Sequence, residues 1–145
     1  MIKLCLGIAI VFVFISQFGC KDSSTNGSNV QNNVDLSRVK NRQWKLTSAQ
    51  YGDSLLPLDT YRPFYFSMDD TTVRGDDGCN GFEGSYHVHG DTLSIPGLGG
   101  TLIACYYTYF DYDSLSGSWI VSIPDTSKFN LRRNEKTLGF TVTSR

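Results

Sequence analysis

The chain has 145 residues, 40% hydrophobic and 13% aromatic, and its 13 Lys and Arg against 14 Asp and Glu give a formal net charge of −1. So even a balance excludes a polybasic nucleic-acid binder and a polybasic lipid-surface binder. The length leaves room for one domain of ordinary size, large enough for a core but small enough to benefit from a staple.

The first predicted element is an export signal over residues 1–19. Lys3 precedes an uncharged apolar run from Leu4 to Phe18, the layout of a short basic region followed by an apolar core. A membrane-crossing helix needs roughly 17–25 apolar residues, which makes a permanent span the weaker reading. The run ends at Gly19-Cys20. A small residue before a cysteine directly after an apolar core resembles the lipobox of bacterial lipoproteins, in the relaxed form found among Bacteroidota, with Gln17 and Phe18 ahead of it. The resemblance implies that Cys20 is acylated, becomes the first mature residue and ties the protein to the membrane. Each buried methylene contributes about 0.8 kcal/mol, so two or three chains anchor far more firmly than one. Lys21 in place of an Asp implies the outer membrane, on its periplasmic face or at the cell surface. Loss of Lys3 takes the mature charge from −1 to −2.

Residues 20–39 are expected to form a disordered tether, because Ser23 to Asn33 carries too little apolar surface to offset chain ordering. A flexible stretch of that kind reaches roughly 20–25 Å. The folded domain is assigned to residues 40–145. There, short β-branched and aromatic runs recur between turn residues: Gln43 to Thr47, Pro63 to Met68, Thr71 to Gly75, Glu83 to His89, Thr92 to Ile95, Ser118 to Ile123, Lys128 to Leu131 and Thr137 to Thr143. Gly90-Asp91 reads as a two-residue hairpin turn with glycine first. About eight antiparallel strands are enough for a closed or nearly closed barrel, whose interior is filled by side chains or holds one small ligand. One short helix is predicted over Tyr106 to Leu115, where Tyr106, Tyr109, Phe110 and Asp113 fall at helical intervals, although the aromatic content suits a strand as well.

The four cysteines divide by position. Cys5 leaves with the signal and Cys20 takes lipid, so Cys79 and Cys105 remain as a pair in an oxidising compartment, which favours a disulfide over two buried free thiols. The loop so closed contributes roughly 3.5 kcal/mol in the chain-entropy model.

Trp44 with Leu46, Phe66, Gly78-Cys79-Asn80 with Phe82, Gly84 and Tyr86, Leu93, Thr101 with Ala104-Cys105, and Leu138-Gly139-Phe140 together resemble the META/HslJ domain family from about residue 40 to 143. The resemblance implies a mainly β fold, a lipocalin-like antiparallel barrel with a short helix. It also implies an envelope lipoprotein associated with stress or drug tolerance. Where the family usually carries a Glu and a regular amphipathic helix after the second cysteine, this chain has Tyr106 to Tyr112. In the motif itself, Gly78 and Gly81 are read as supplying backbone angles a side chain would forbid, and Asn80 as bonding its own turn.

Candidate chemistry is sparse. His87 and His89 share one face of a strand near Asp91, but Tyr86 and Val88 are read as taking the inward face, which leaves the histidines solvated and no metal site assigned. Asp76-Asp77 lacks the spacing of a calcium loop. No nucleophile elbow or phosphate-binding glycine loop is present, so neither catalytic residues nor a cofactor are assigned. The best recognition surface is the belt of Tyr106, Tyr107, Tyr109 and Tyr112, with Phe110 and Trp119, since aromatics with polar tips suit interfaces. The functional expectation is a non-enzymatic outer-membrane lipoprotein with an envelope-stress or interaction role, its partner an envelope protein or ligand and not nucleic acid. The alternative is a barrel that carries a small ligand.

Overall fold

The computed structural model describes residues 34–105 and 110–143. The signal, Cys20, and Tyr106, Tyr107 and Tyr109 therefore lie outside the described residues. Eleven strands form one antiparallel sheet: β1 (Gln43–Tyr51), β2 (Ser54–Leu55), β3 (Tyr65–Met68), β4 (Thr72–Asp76), β5 (Gly81–Ser85), β6 (His87–His89), β7 (Thr92–Ile95), β8 (Gly99–Gly100), β9 (Gly117–Asp125), β10 (Lys128–Arg133) and β11 (Lys136–Val142). The order across the sheet is β6-β7-β9-β10-β11-β1-β3-β4-β5-β8, with β2 paired to β1.

Each of the eight expected strands is present. The count rises to eleven because β2 and β8 are added as two-residue pieces and the run from Glu83 to His89 is broken at Tyr86. That break lets one segment serve both sides of the curled sheet. β5 pairs with β4 while β6 pairs with β7, and only Tyr86 separates them in the chain, so one bent segment joins the two ends of the curled sheet. Tyr86 is buried, its N–H donates to Thr71 O at 3.0 Å, and its hydroxyl donates to Asp69 O. Burial pushes the Tyr86 phenol above its ordinary range.

Period-two patterning places Trp44, Leu46, Phe66, Met68, Val73, Phe82, Leu93, Ile95, Trp119, Val121, Phe129, Leu131, Leu138 and Phe140 in one core. A bulge in β1 between Leu46 and Ser48 adds a residue, so that Ala49 again faces inward against Leu138. Phe66 meets Phe140 edge-on at 4.8 Å between centroids, and Phe129 contacts Trp44, Phe66 and Phe140 at 5.7–5.8 Å. Aromatic side chains therefore occupy the interior.

The register sorts the turns into two ends. At the N-terminal end lie the entry of the chain, where Val34 N–H donates to Gly90 O at 3.2 Å, and the turns at residues 40–42, 69–71, 90–91 and 126–127. The opposite, loop end gathers residues 52–64, 77–80, 96–105, 110–116 and 134–135. Each end is plugged by a single 3-10 turn. Leu36–Arg38 is capped by Asp35 and Tyr112–Leu115 by Asp111, each carboxylate accepting a backbone N–H two or three residues on. Each plug is then tied to a buried indole, with Trp44 Nε1 donating to Val39 O at 2.9 Å and Trp119 Nε1 to Leu115 O at 2.7 Å.

Two expectations change here. The fold begins before residue 40, because Leu36 and Val39 are only 5% and 0% exposed and belong to the core. Of the helix predicted over Tyr106 to Leu115, residues 106–109 lie outside the described residues, and the described part forms a 3-10 turn at Tyr112–Leu115 that stops where Ser116 is extended and β9 starts one residue later. Among the described residues no helix is long and apolar enough to cross a membrane.

Candidate functional site

The loop end is organised by the segment that follows β4. Asp76 and Asp77 both turn their carboxylates onto the backbone ahead: Asp76 accepts from Gly78 N at 2.7 Å, and buried Asp77 accepts from Cys79 N at 3.0 Å and Asn80 N at 2.7 Å. These bonds wrap the chain tightly enough to need φ +90 at Gly78, where a Cβ would strike the Arg62 carbonyl. Gly81 has ordinary strand geometry, and an added Cβ there would make only an ordinary contact with Gly75 O at 3.8 Å, so the conformational need expected there rests on Gly78 alone. Asn80 keeps a negative φ; its contribution is made by the side chain.

That side chain works as a substitute peptide group. Asn80 Oδ1 accepts from Ile103 N at 2.7 Å and Thr101 Oγ1 at 3.1 Å, while Nδ2 donates to Ile103 O at 3.2 Å. Beside it, Cys79 and Cys105, 26 positions apart in sequence, are joined as a disulfide with Cα atoms 6.1 Å apart. The segment after β8 is thus held at both edges, while Leu102 and Ile103 stay 93% and 61% exposed. Tyr61 is also fully exposed on the loop whose Arg62 abuts Gly78. The motif is an architectural brace that presents apolar side chains to solvent.

The aromatic belt does not act as one surface among the described residues. Tyr112 stacks on Phe82 at 5.6 Å, Phe110 is buried edge-on against Phe64 at 5.2 Å, and Trp119 is wholly buried. Lys136 Nζ lies 4.8 Å over the Phe110 ring and Arg133 lies 4.3 Å over Trp119. Burial holds the Lys136 amine below its ordinary range, the Arg133 charge adds to this, and Asp111 opposes it.

His87 and His89 are exposed on β6, and Val88, expected inward, is 41% exposed because the short β6 has only β7 beside it. Among the described residues no three His, Cys, Asp or Glu side chains converge as metal ligands. Sequence reasoning missed the caps Asp35 and Asp111, whose signal is an Asp eight or nine residues before each buried Trp. It also missed buried Asp77, which lay in plain view before a glycine.

A concavity of about 720 Å³ lies on the outer face of β3, β4, β5 and β8, lined by Tyr65, Arg74, Asp76, Glu83 and the glycines beside them. It is separate from the filled interior.

The model of the META domain matches residues 37–136. No curated protein matches the chain. Among solved structures, a protein from Burkholderia xenovorans determined by NMR is similar over 76% of this chain and 87% of its own, with 21% identity and a TM-score of 0.62. A lipocalin-like protein from Bacteroides uniformis is similar over 72% and 97%, with 19% identity and a TM-score of 0.51. An uncharacterized protein from Bacteroides eggerthii is similar over 70% and 98%, with 16% identity and a TM-score of 0.51. At these identities the likeness is one of fold.

Proposed function

The chain belongs to the META domain family, and from that premise we propose that it is a non-enzymatic lipoprotein of the outer membrane, anchored through Cys20, with an interaction role in the cell envelope under stress. One observation carries the reading. The chain enters the fold at Val34 beside the tight turns of one end, while the braced loops with exposed Tyr61, Leu102 and Ile103 gather at the opposite end. A protein held by lipid near residue 20 then turns its elaborated end away from the bilayer, toward other envelope components. Among the described residues no group at the loop end is arranged as a nucleophile with its base. Its carboxylates at Asp76 and Asp77 are spent on backbone N–H groups.

The alternative, a small ligand inside the barrel, meets an interior already occupied by Trp44, Phe66, Trp119, Phe129 and Phe140. The anchor is tested by mass spectrometry of the mature N-terminus together with fractionation of a Cys20→Ala variant. An acylated Cys20 and release of the variant from the outer membrane are expected. An unmodified cysteine, or a variant that stays with the membrane, overturns the reading.

A further inference from the structure

The register of the outer face builds a site that the fold itself does not need. One transverse row runs through Gln43, Ser67, Arg74, Glu83 and Gly99, each paired with the next across neighbouring strands. A second runs through Tyr65, Asp76 and Gly81. Alternation turns both rows away from Phe66 and Phe82, which point into the core. At Gly81 and Gly99 an added Cβ would find nothing closer than 3.8 Å, so glycine there is not required by packing and leaves an open floor. Tyr65 stands at its side. The resulting groove, about 720 Å³, falls within the 300–1,000 Å³ typical of ligand sites. An adjoining recess of about 370 Å³ shares Gln43, Ser67 and Arg74, which makes the concavity longer than a single ring-sized ligand.

The chemistry of the lining selects among ligands. Arg74 and Glu83 are direct cross-strand neighbours on one face, yet the guanidinium binds Asp69 instead. Among the described residues Glu83 enters no ion pair, so its carboxylate remains an acceptor facing the groove. Two carboxylates, Asp76 and Glu83, against one guanidinium leave the lining with an excess negative charge, which repels phosphate and other polyanions. Sugar hydroxyls donate and accept at once, so they match an acceptor and a donor held side by side. The C–H face of a pyranose ring packs on a phenol face such as that of Tyr65.

We propose that this groove binds a neutral oligosaccharide, with one ring on Tyr65 and its hydroxyls shared between Arg74 and Glu83. The site is independent of the lipid anchor, and its failure leaves the anchored reading intact. The test is amide NMR of the full chain in detergent, titrated with maltotriose, chitotriose and cellotriose in turn. At least one is expected to shift the Tyr65, Gly81 and Gly99 signals saturably. Tyr65→Ala and Glu83→Gln should each weaken that binding about tenfold or more. Gly99→Val should abolish it by filling the floor, with the Trp44 and Trp119 indole signals unchanged as the sign of an intact fold. Absence of saturable shifts with all three sugars overturns the proposal. So do shifts confined to the loop end, tighter binding of inorganic phosphate or of an extended peptide at the groove, or unaltered affinity in both Glu83→Gln and Gly99→Val.

Discussion

The two ends of the sheet are closed by the same device and differ in everything around it. At each, an Asp-capped 3-10 turn drops a leucine into the core, and a buried indole donates to a carbonyl at its end: Val39 O at the N-terminal end, Leu115 O at the loop end. At the N-terminal end the neighbouring turns are short and the carboxylates of Asp35, Asp69 and Asp125 accept local backbone N–H groups. At the loop end the chain makes long excursions, and it recruits a disulfide, the Asn80 bracket and two cation–ring contacts to hold them. The difference teaches that short turns are held mostly by local carboxylate–backbone bonds, with a few non-covalent ties such as Lys40 to Asp70 and Arg42 to the Thr126 carbonyl. Long loops lose more chain entropy on ordering and need long-range ties.

The indole bonds offer the strongest way to break the comparison. Trp44→Ala and Trp119→Ala should each cost about 3–5 kcal/mol in urea unfolding, from lost burial and a stranded carbonyl. If the two plugs are equivalent the two costs agree; a much smaller cost at Trp119 would show that the disulfide and Asn80 carry the loop end without its plug.

Removing the staple sharpens the contrast. A Cys79→Ser and Cys105→Ser double variant should lose roughly 3.5 kcal/mol, less whatever strain the bridge imposes. Hydrogen exchange should accelerate at residues 78–80 and 99–103 and stay unchanged around Val39 and Trp44. Uniform acceleration across both ends would contradict the division.

The smallest effect is electrostatic and belongs to the N-terminal end. Side-chain and backbone hydrogen bonds from Ser37 hold Asp35 below the usual carboxylate range, those from Ser127 do so for Asp125, and backbone bonds from Thr71 and Thr72, helped by Arg74, do so for Asp69. Because these folded-state values are depressed, their stabilisation is fully present above the ordinary carboxylate range and is lost as pH falls through the folded values. Stability should therefore decline between neutral pH and strong acid. Asp35→Asn, Asp69→Asn and Asp125→Asn together should flatten that decline in acid titrations followed by Trp44 fluorescence or indole NMR. An unchanged acid profile would remove these turns from the account.

Much of this was legible because it depends on local patterning. The eight strand runs, the Gly90-Asp91 turn and the inward Trp44, Phe66 and Phe82 follow from period-two alternation and turn chemistry. The 3-10 plugs were not, because three or four residues are too short to show a period, and Leu36 sat within a polar stretch that read as tether. The aromatic run after Cys105 offers a recognition surface or a core contact in sequence; Phe110 and Tyr112 pack on Phe64 and Phe82, which lie far away in sequence.

The sequence by itself determined the β class, the family and the glycine required at position 78, since alternation, motif and a positive φ are properties of neighbouring residues. Only the tertiary structure decided that β5 and β6 are one segment bent at Tyr86 to join both ends of the sheet. It also decided that the interior is filled and that Arg74, Glu83 and Tyr65 face a common groove. Those facts depend on register between strands distant along the chain, and register is set when many side chains pack at once.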